Sequence, residues 1–270
     1  CAIDEAVRNV VSVGADPSRV AILDNFCWGN TDRPEVLGSL VLAAEACKDY
    51  AIAYRMPFIS GKDSLKNEFH ASGRNIVIPP TLLISAMGLV HDIRQCVTMD
   101  LKKAGNKIFL IGKPVADLGG SQYCRVHGLE GGVVPKPVAG ESIKVHHAVH
   151  KAISKGLIRS CHDISEGGLA VALAEMAFAG MIGADIAGLG KFQGINVPGL
   201  LFAESPTSYV VEVEPGKVGA LEAEFVGLPL NEIGVTCSEK RLRVAGPAGD
   251  WIVWASLDDL RKNWKSTLAY

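Results

Sequence analysis

The run Pro57-Phe58-Ile59-Ser60 reads as a short strand that breaks at Gly61, and a cation, a carboxylate and a hydroxyl follow at once as Lys62, Asp63 and Ser64. Glycine there lets the backbone approach a ligand closely or take a positive φ. Lys62 can neutralise a phosphate, Asp63 can hold a metal or accept a proton, and Ser64 can donate to a phosphate oxygen. The combination suits phosphate handling at a strand end, and the same string also describes a solvated turn. Its weight comes from the stretches that accompany it.

Before Gly61 the chain predicts a helix over residues 1–14, a strand over 19–23 and a long helix over 34–54, the last opened by Pro34. Glu5 and Asn9 stand four apart and share one face of the first helix, as a ligand pair or as a solvated face. The first strand delivers Asp24-Asn25-Phe26-Cys27-Trp28-Gly29-Asn30 to a predicted loop, and the Gly61 loop follows the second strand. In α/β architecture such strand-end loops gather ligands. Residues 76–89 supply a further strand in two pieces.

A shift in composition at Lys102-Lys103-Ala104-Gly105-Asn106 predicts a domain boundary, with domains over 1–104 and 105–270. Lys107 begins a fresh buried strand. Residues 118–140 are rich in Gly and read mostly as loop, in which Leu118-Gly119-Gly120-Ser121 can present backbone amides to an anion. A helix over 141–155 carries His146, His147 and His150, with no carboxylate or cysteine in register for a metal, so a solvated or interface face is expected. Then Cys161-His162-Asp163-Ile164-Ser165-Glu166-Gly167-Gly168-Leu169 runs into an Ala-rich helix. Ser165 or Glu166 can cap that helix; alternatively Asp163 is a Mg²⁺ ligand and Ser165 lies beside a nucleotide phosphate. The tail alternates strand and helix, which predicts α+β packing of mixed sheets rather than a Rossmann sheet.

Composition narrows the partners. A formal net charge of −2 gives no electrostatic case for nucleic acid or a membrane surface, and no run approaches the ~20 apolar residues of a membrane span. The seven cysteines are scattered without a CxxC pair, as expected of reduced cytoplasmic residues. The chain opens at Cys1 inside a helical pattern and reads as a piece of something larger.

The stretches Asp24 to Asn30, Gly61-Lys62-Asp63-Ser64-Leu65, His162 to Leu169 and Leu201-Phe202-Ala203-Glu204-Ser205-Pro206 together resemble the phosphoribosylformylglycinamidine (FGAM) synthase family of purine biosynthesis. The resemblance covers nearly the whole chain and corresponds to the C-terminal half of the synthase core. It implies an aminoimidazole ribonucleotide synthase-like two-domain unit, with an A-type domain and a B-type α/β sandwich. It implies ATP-dependent conversion of formylglycinamide ribonucleotide and ammonia to the amidine through an iminophosphate, with Mg²⁺ clamping the phosphates. Carried over by position, Asp24, Gly61 and Ser165 match ATP contacts, Ser64 a substrate contact, and Glu5, Asn9 and Asp163 Mg²⁺ ligands. Lys62, a further phosphate contact, stands where the small form of the family has a metal-binding Asn. In the large form Glu5, Asn9, Asp163 and Ser165 belong to a second, structural nucleotide site.

The catalytic histidine and a glutaminase, as ammonia source, are expected outside this chain. The isolated piece is expected to be inactive and to form a homodimer through the exposed sheet of its A-type domain. Two alternatives stand beside this reading. One is a non-catalytic scaffold with a structural nucleotide. The other is a different ATP-dependent enzyme of the same superfamily, such as a selenophosphate synthase or the hydrogenase-maturation dehydratase.

Overall fold

The computed structural model describes residues 1–267. Helix α1 (Ala2–Ser12) presents Ile3, Val7 and Val11 at helical spacing and buries all three. Strand β1 (Val20–Cys27), helix α2 (Pro34–Tyr54) and strand β2 (Phe58–Gly61) form a crossover unit, so β1 and β2 pair in parallel. A hairpin of β3 (Glu68–Ala71) and β4 (Arg74–Val77) stands apart, and β5 (Thr81–Gly88) closes a three-stranded sheet in the order β2-β1-β5. One face of that sheet packs Ile22, Phe26 and Ile84 with the apolar side of α1 and with Cys47, Tyr54 and Met56. The other face leaves Ile59, Leu83 and Met87 exposed.

The chain then runs through β6 (Lys107–Ile111), α3 (Gln122–Val126), α4 (Ala139–Ser154), β7 (Ile158–Asp163), α5 (Gly168–Gly180) and β8 (Gly183–Ile186). It ends with α6 (Val197–Phe202), β9 (Tyr209–Val213), α7 (Val218–Glu224), β10 (Leu230–Cys237), β11 (Arg241–Ala245), β12 (Trp251–Ser256) and α8 (Leu257–Ser266). These strands make a seven-stranded sheet in the order β12-β11-β8-β10-β6-β9-β7, antiparallel throughout except where β11 meets β8. Side chains alternate between two cores. Phe109, Ile111, Tyr209 and Val211 face α4 and α1, while Ile108, Leu110, Val210 and Ile186 face α5 and its neighbours. Both faces of the central strands are covered, which is why Ile108 to Ile111 of β6 read as an unbroken apolar run and β9 is apolar but for Glu212.

The first core cluster includes residues of both sheets, because α1 lies between the first sheet and α4. The link between the sheets is anchored by Glu212 of β9. Its buried carboxylate accepts from the backbone amides of Lys102 (2.8 Å) and Lys103 (3.1 Å), from Asn106 Nδ2 (2.6 Å) and from Ser160 Oγ (3.0 Å).

Several local expectations change. Asp24 to Cys27 belong to β1, whose whole length pairs with β5, so the predicted loop begins only at Trp28. The stretch before residue 76 contains an unexpected hairpin, turned by Ser72 and Gly73 at positive φ. The glycine-rich region over 118–140 contains α3, capped by the Ser121 hydroxyl. His146, expected on a solvated or interface face, is fully buried, while His147 is exposed. Among the described residues, no helix is long and apolar enough to cross a membrane.

Candidate functional site

Two groups of polar residues stand at strand ends. In the first, Asp24 pairs in register with Gly61, and a Cβ at residue 61 would fall 1.9 Å from Asp24 Oδ1. Glycine is required there by close approach rather than by its backbone angle. The chain beyond Gly61 continues the pairing: the Lys62 amide donates to the Asp24 carbonyl (3.1 Å) and the Ser64 amide to that of Phe26 (2.8 Å). Asp63 Oδ1 accepts from the Phe26 amide (3.3 Å), and Lys62 Nζ donates to Ser64 Oγ. Burial, then the neighbouring Asp63, push the Asp24 carboxyl above its usual range. Asp24, Gly61, Lys62 and Ser64 are therefore brought together at one end of the first sheet.

The second group surrounds a cavity of about 210 Å³ lined by Glu5 and Arg8 of α1, Asp117, the Gly119-Gly120-Ser121 turn, Ser165, Glu166 and Glu204. Gly167 and Gly168 both take positive φ where β7 turns into α5, and a Cβ on Gly168 would collide with the Phe202 backbone. Neither Ser165 nor Glu166 caps α5, whose N-cap is Gly167, so both are left free of that local task. Glu204 joins the two turns of the cavity, accepting from the amides of Gly167 (3.1 Å) and Gln122 (2.8 Å). Asn9 is exposed one turn beyond Glu5 and does not line the cavity; nor do Asp24, Gly61, Lys62 and Ser64.

Asp163 is buried at the end of β7, with its Oδ2 3.7 Å from Arg8 Nε and without a hydrogen-bond donor. Glu5 has its carboxyl raised by burial; Arg8 opposes that shift, and the charges of Asp163, Glu166 and Glu204 reinforce it. This set is short of positive charge. Its oxygen donors suit a hard cation. Among the described residues no three His, Cys, Asp or Glu side chains converge on one point as a closed cage.

Sequence reasoning missed Asp4, the hub behind the cavity. It accepts from Arg8 Nη1 (2.5 Å), Tyr54 OH (2.9 Å), the Thr207 amide (2.8 Å) and Thr207 Oγ1 (2.7 Å). His146 Nε2 lies 3.4 Å away, and its Nδ1 is 2.7 Å from Tyr209 OH. Burial alone would raise the Asp4 carboxyl, but His146, Arg8 and Thr207 hold it far below the usual carboxylate range. The signal was present: Asp4 falls on the same helical face as Val7 and Val11.

Residues 103–246 match the family of AIR synthase related protein, C-terminal domain. The chain is 35% identical to the phosphoribosylformylglycinamidine synthase subunit PurL of Deinococcus radiodurans, over 99% of this chain and 36% of that protein. It is 38% identical to the same subunit of Thermomicrobium roseum, over 88% of this chain and 32% of that one. The chain thus spans about a third of the length of these relatives. Among solved structures, T. maritima PurL complexed with FGAR superposes with a TM-score of 0.72 at 17% identity, covering 96% of this chain and 42% of that one. Hydrogenase maturation protein HypE in complex with ATP superposes at 0.67 and 16% identity, covering 94% and 78%. The fold is the mixed α/β fold of these proteins.

Proposed function

Because this chain belongs to the AIR synthase related family, we propose that it is the C-terminal part of an FGAM synthase, contributing nucleotide and substrate contacts to an ATP-dependent ligase that forms a C–N bond. The carrying observation is the meeting of Glu5, Ser165 and the Gly119-Gly120-Ser121 turn around one acidic cavity, behind which Asp163 keeps a buried oxygen without a donor. The reaction is transfer of a phosphoryl group from ATP to the amide oxygen of formylglycinamide ribonucleotide, followed by displacement of phosphate from the iminophosphate by ammonia.

In this reading Glu5, Asn9 and Asp163 hold Mg²⁺ and Ser165 donates to a phosphate oxygen. The ion supplies counter-charge to the phosphates. Asp24 and the open backbone at Gly61 contact ATP, Lys62 neutralises phosphate charge and Ser64 orients the substrate. Their part is positioning and charge neutralisation, since the catalytic histidine belongs to another part of the protein. The relatives' greater length and the match to PurLQS from Thermotoga maritima support partners in the missing N-terminal half and in a glutaminase that delivers ammonia. The exposed Ile59, Leu83 and Met87 support self-association of the isolated chain, and a clean monomer by sedimentation at micromolar concentration overturns that part.

One observation favours a scaffold role for the second group. Arg8 and Asp163 tie α1 to β7 in the interior, so a nucleotide beside them would brace the two sheets rather than react. Calorimetric titration of Mg²⁺-ATP into the chain, with Asp163→Ala and Asp24→Ala alongside, separates the readings. Loss only with Asp163→Ala supports the structural nucleotide, and loss only with Asp24→Ala places the reacting ATP at the first group. Unchanged binding in both variants rejects both assignments.

A further inference from the structure

A larger cavity, of about 630 Å³, lies on the other side of Pro206, where β6 ends, α4 begins and residues 227–229 lead into β10. Its volume is that of a small-molecule site, about 300–1,000 Å³. The lining holds three ammonium groups, Lys113, Lys136 and Lys144, against one carboxylate, Glu141. Lys113 is paired with Glu141 at 2.9 Å. Among the described residues, Lys136 and Lys144 have no carboxylate within ion-pair distance, so the cavity carries an excess of two positive charges.

Three further features point the same way. Helix α4 runs 16 residues and opens onto the cavity at Val138, with no side chain capping its first amides. Its positive end therefore adds to the lysines. The wall is shaped by Gly112 at φ 102°, where a Cβ would meet Ser208 Oγ at 2.3 Å. The cavity is also edged by Thr207, a β-branched residue at φ 55°, held there by the buried Asp4. The lining also holds the apolar side chains of Val115, Val145 and Leu228. A basic rim with an apolar wall suits a ligand with an anionic end and an uncharged body.

We propose that this cavity binds a phosphorylated small molecule, its phosphate held by Lys136 and Lys144 and its body laid against Val115 and Leu228. The inference rests on this cavity alone and does not need the nucleotide reading of the neighbouring one. Phosphate contacts of this kind are charge-assisted and salt-sensitive.

The test titrates the 270-residue chain with inorganic pyrophosphate at low salt and without Mg²⁺, the ion the neighbouring acidic cavity would need to hold a phosphate, comparing it with Lys136→Ala/Lys144→Ala and with Ser165→Ala. Both lysines are exposed, so the double variant should keep the parent's circular dichroism. The expected result is saturable binding, about tenfold or more weaker in the double variant and unchanged in Ser165→Ala. Acetylation footprinting provides a second readout, with pyrophosphate shielding Lys136 and Lys144 from the reagent. No saturable binding, full binding by the double variant, or loss in Ser165→Ala instead would overturn the proposal. The last outcome assigns the anion to the neighbouring cavity. If binding holds, titrations with ADP and ribose 5-phosphate identify the source: tighter binding of one than of pyrophosphate marks a nucleotide or a sugar phosphate.

Discussion

Replacing Asp4 with Asn should destabilise the protein by about 3 kcal/mol, because it strands a buried guanidinium. Arg8 is 4% exposed, and without the Asp4 charge its remaining counter-ion is Asp163 at 3.7 Å. Breaking a buried ion pair from one side costs about 3–5 kcal/mol. Asn keeps one carbonyl oxygen that can still accept from Tyr54 and Thr207, which places the effect at the lower end of that range. Arg8→Met removes the charge from the other side and should cost a comparable amount. The double variant Asp4→Asn/Arg8→Met should then be less damaged than the two losses added, with a coupling of about 2 kcal/mol. Urea unfolding followed by circular dichroism at neutral pH measures all four corners of the cycle. Acidification provides a second axis. The Asp4 carboxyl is depressed in the folded state, so its contribution is present above the unfolded carboxylate range and disappears as pH falls below it. Asp4→Asn should therefore lose stability more gently in acid than the parent. A loss below about 1 kcal/mol for Asp4→Asn, or losses that add within about 0.5 kcal/mol, would refute this account of the buried pair.

Glu212→Ala leaves the Ser160 hydroxyl and the Asn106 amide without their buried acceptor, a loss of about 2–6 kcal/mol, and should expose the Lys102-Lys103 link to trypsin; unchanged resistance there counts against the anchoring role. His162 is drawn down by burial but raised further by Asp163 and Glu175, to a pKa of about 9 against an ordinary 6.5. Its contribution, roughly 3 kcal/mol, is fully present below pH 6.5 and fades as pH rises through 9, so His162→Gln should flatten the alkaline limb of a stability–pH profile. Gly61→Ala places a methyl group on the Asp24 carboxylate and should lower stability by about 1–3 kcal/mol while displacing that side chain, read as a shifted urea midpoint.

The elements that could be read from the chain were those whose cause is local. Helical spacing of Ile3, Val7 and Val11, a proline at the start of α2 and the apolar run of β6 each act within a few residues. The site motifs were legible for the same reason, since a strand end, a glycine and a polar triplet are neighbours in sequence. What escaped depended on distant partners. β1 extends to Cys27 because β5, some sixty residues away, supplies a ladder for its whole length. Asp4 and Arg8 look like an ordinary surface pair until Tyr54, His146 and Thr207 close over them from other elements. Ser165 could have been a helix cap; the left-handed turn at Gly167 and Gly168 removes it from that task and leaves it lining the same cavity as Glu5. Sequence by itself determined the strands and helices whose causes are local and which residue types would sit at their ends; the β3–β4 hairpin, α3 and the far end of β1 were not among them. Tertiary structure alone decided which of those ends meet, because burial and charge pairing depend on what arrives from elsewhere in the chain.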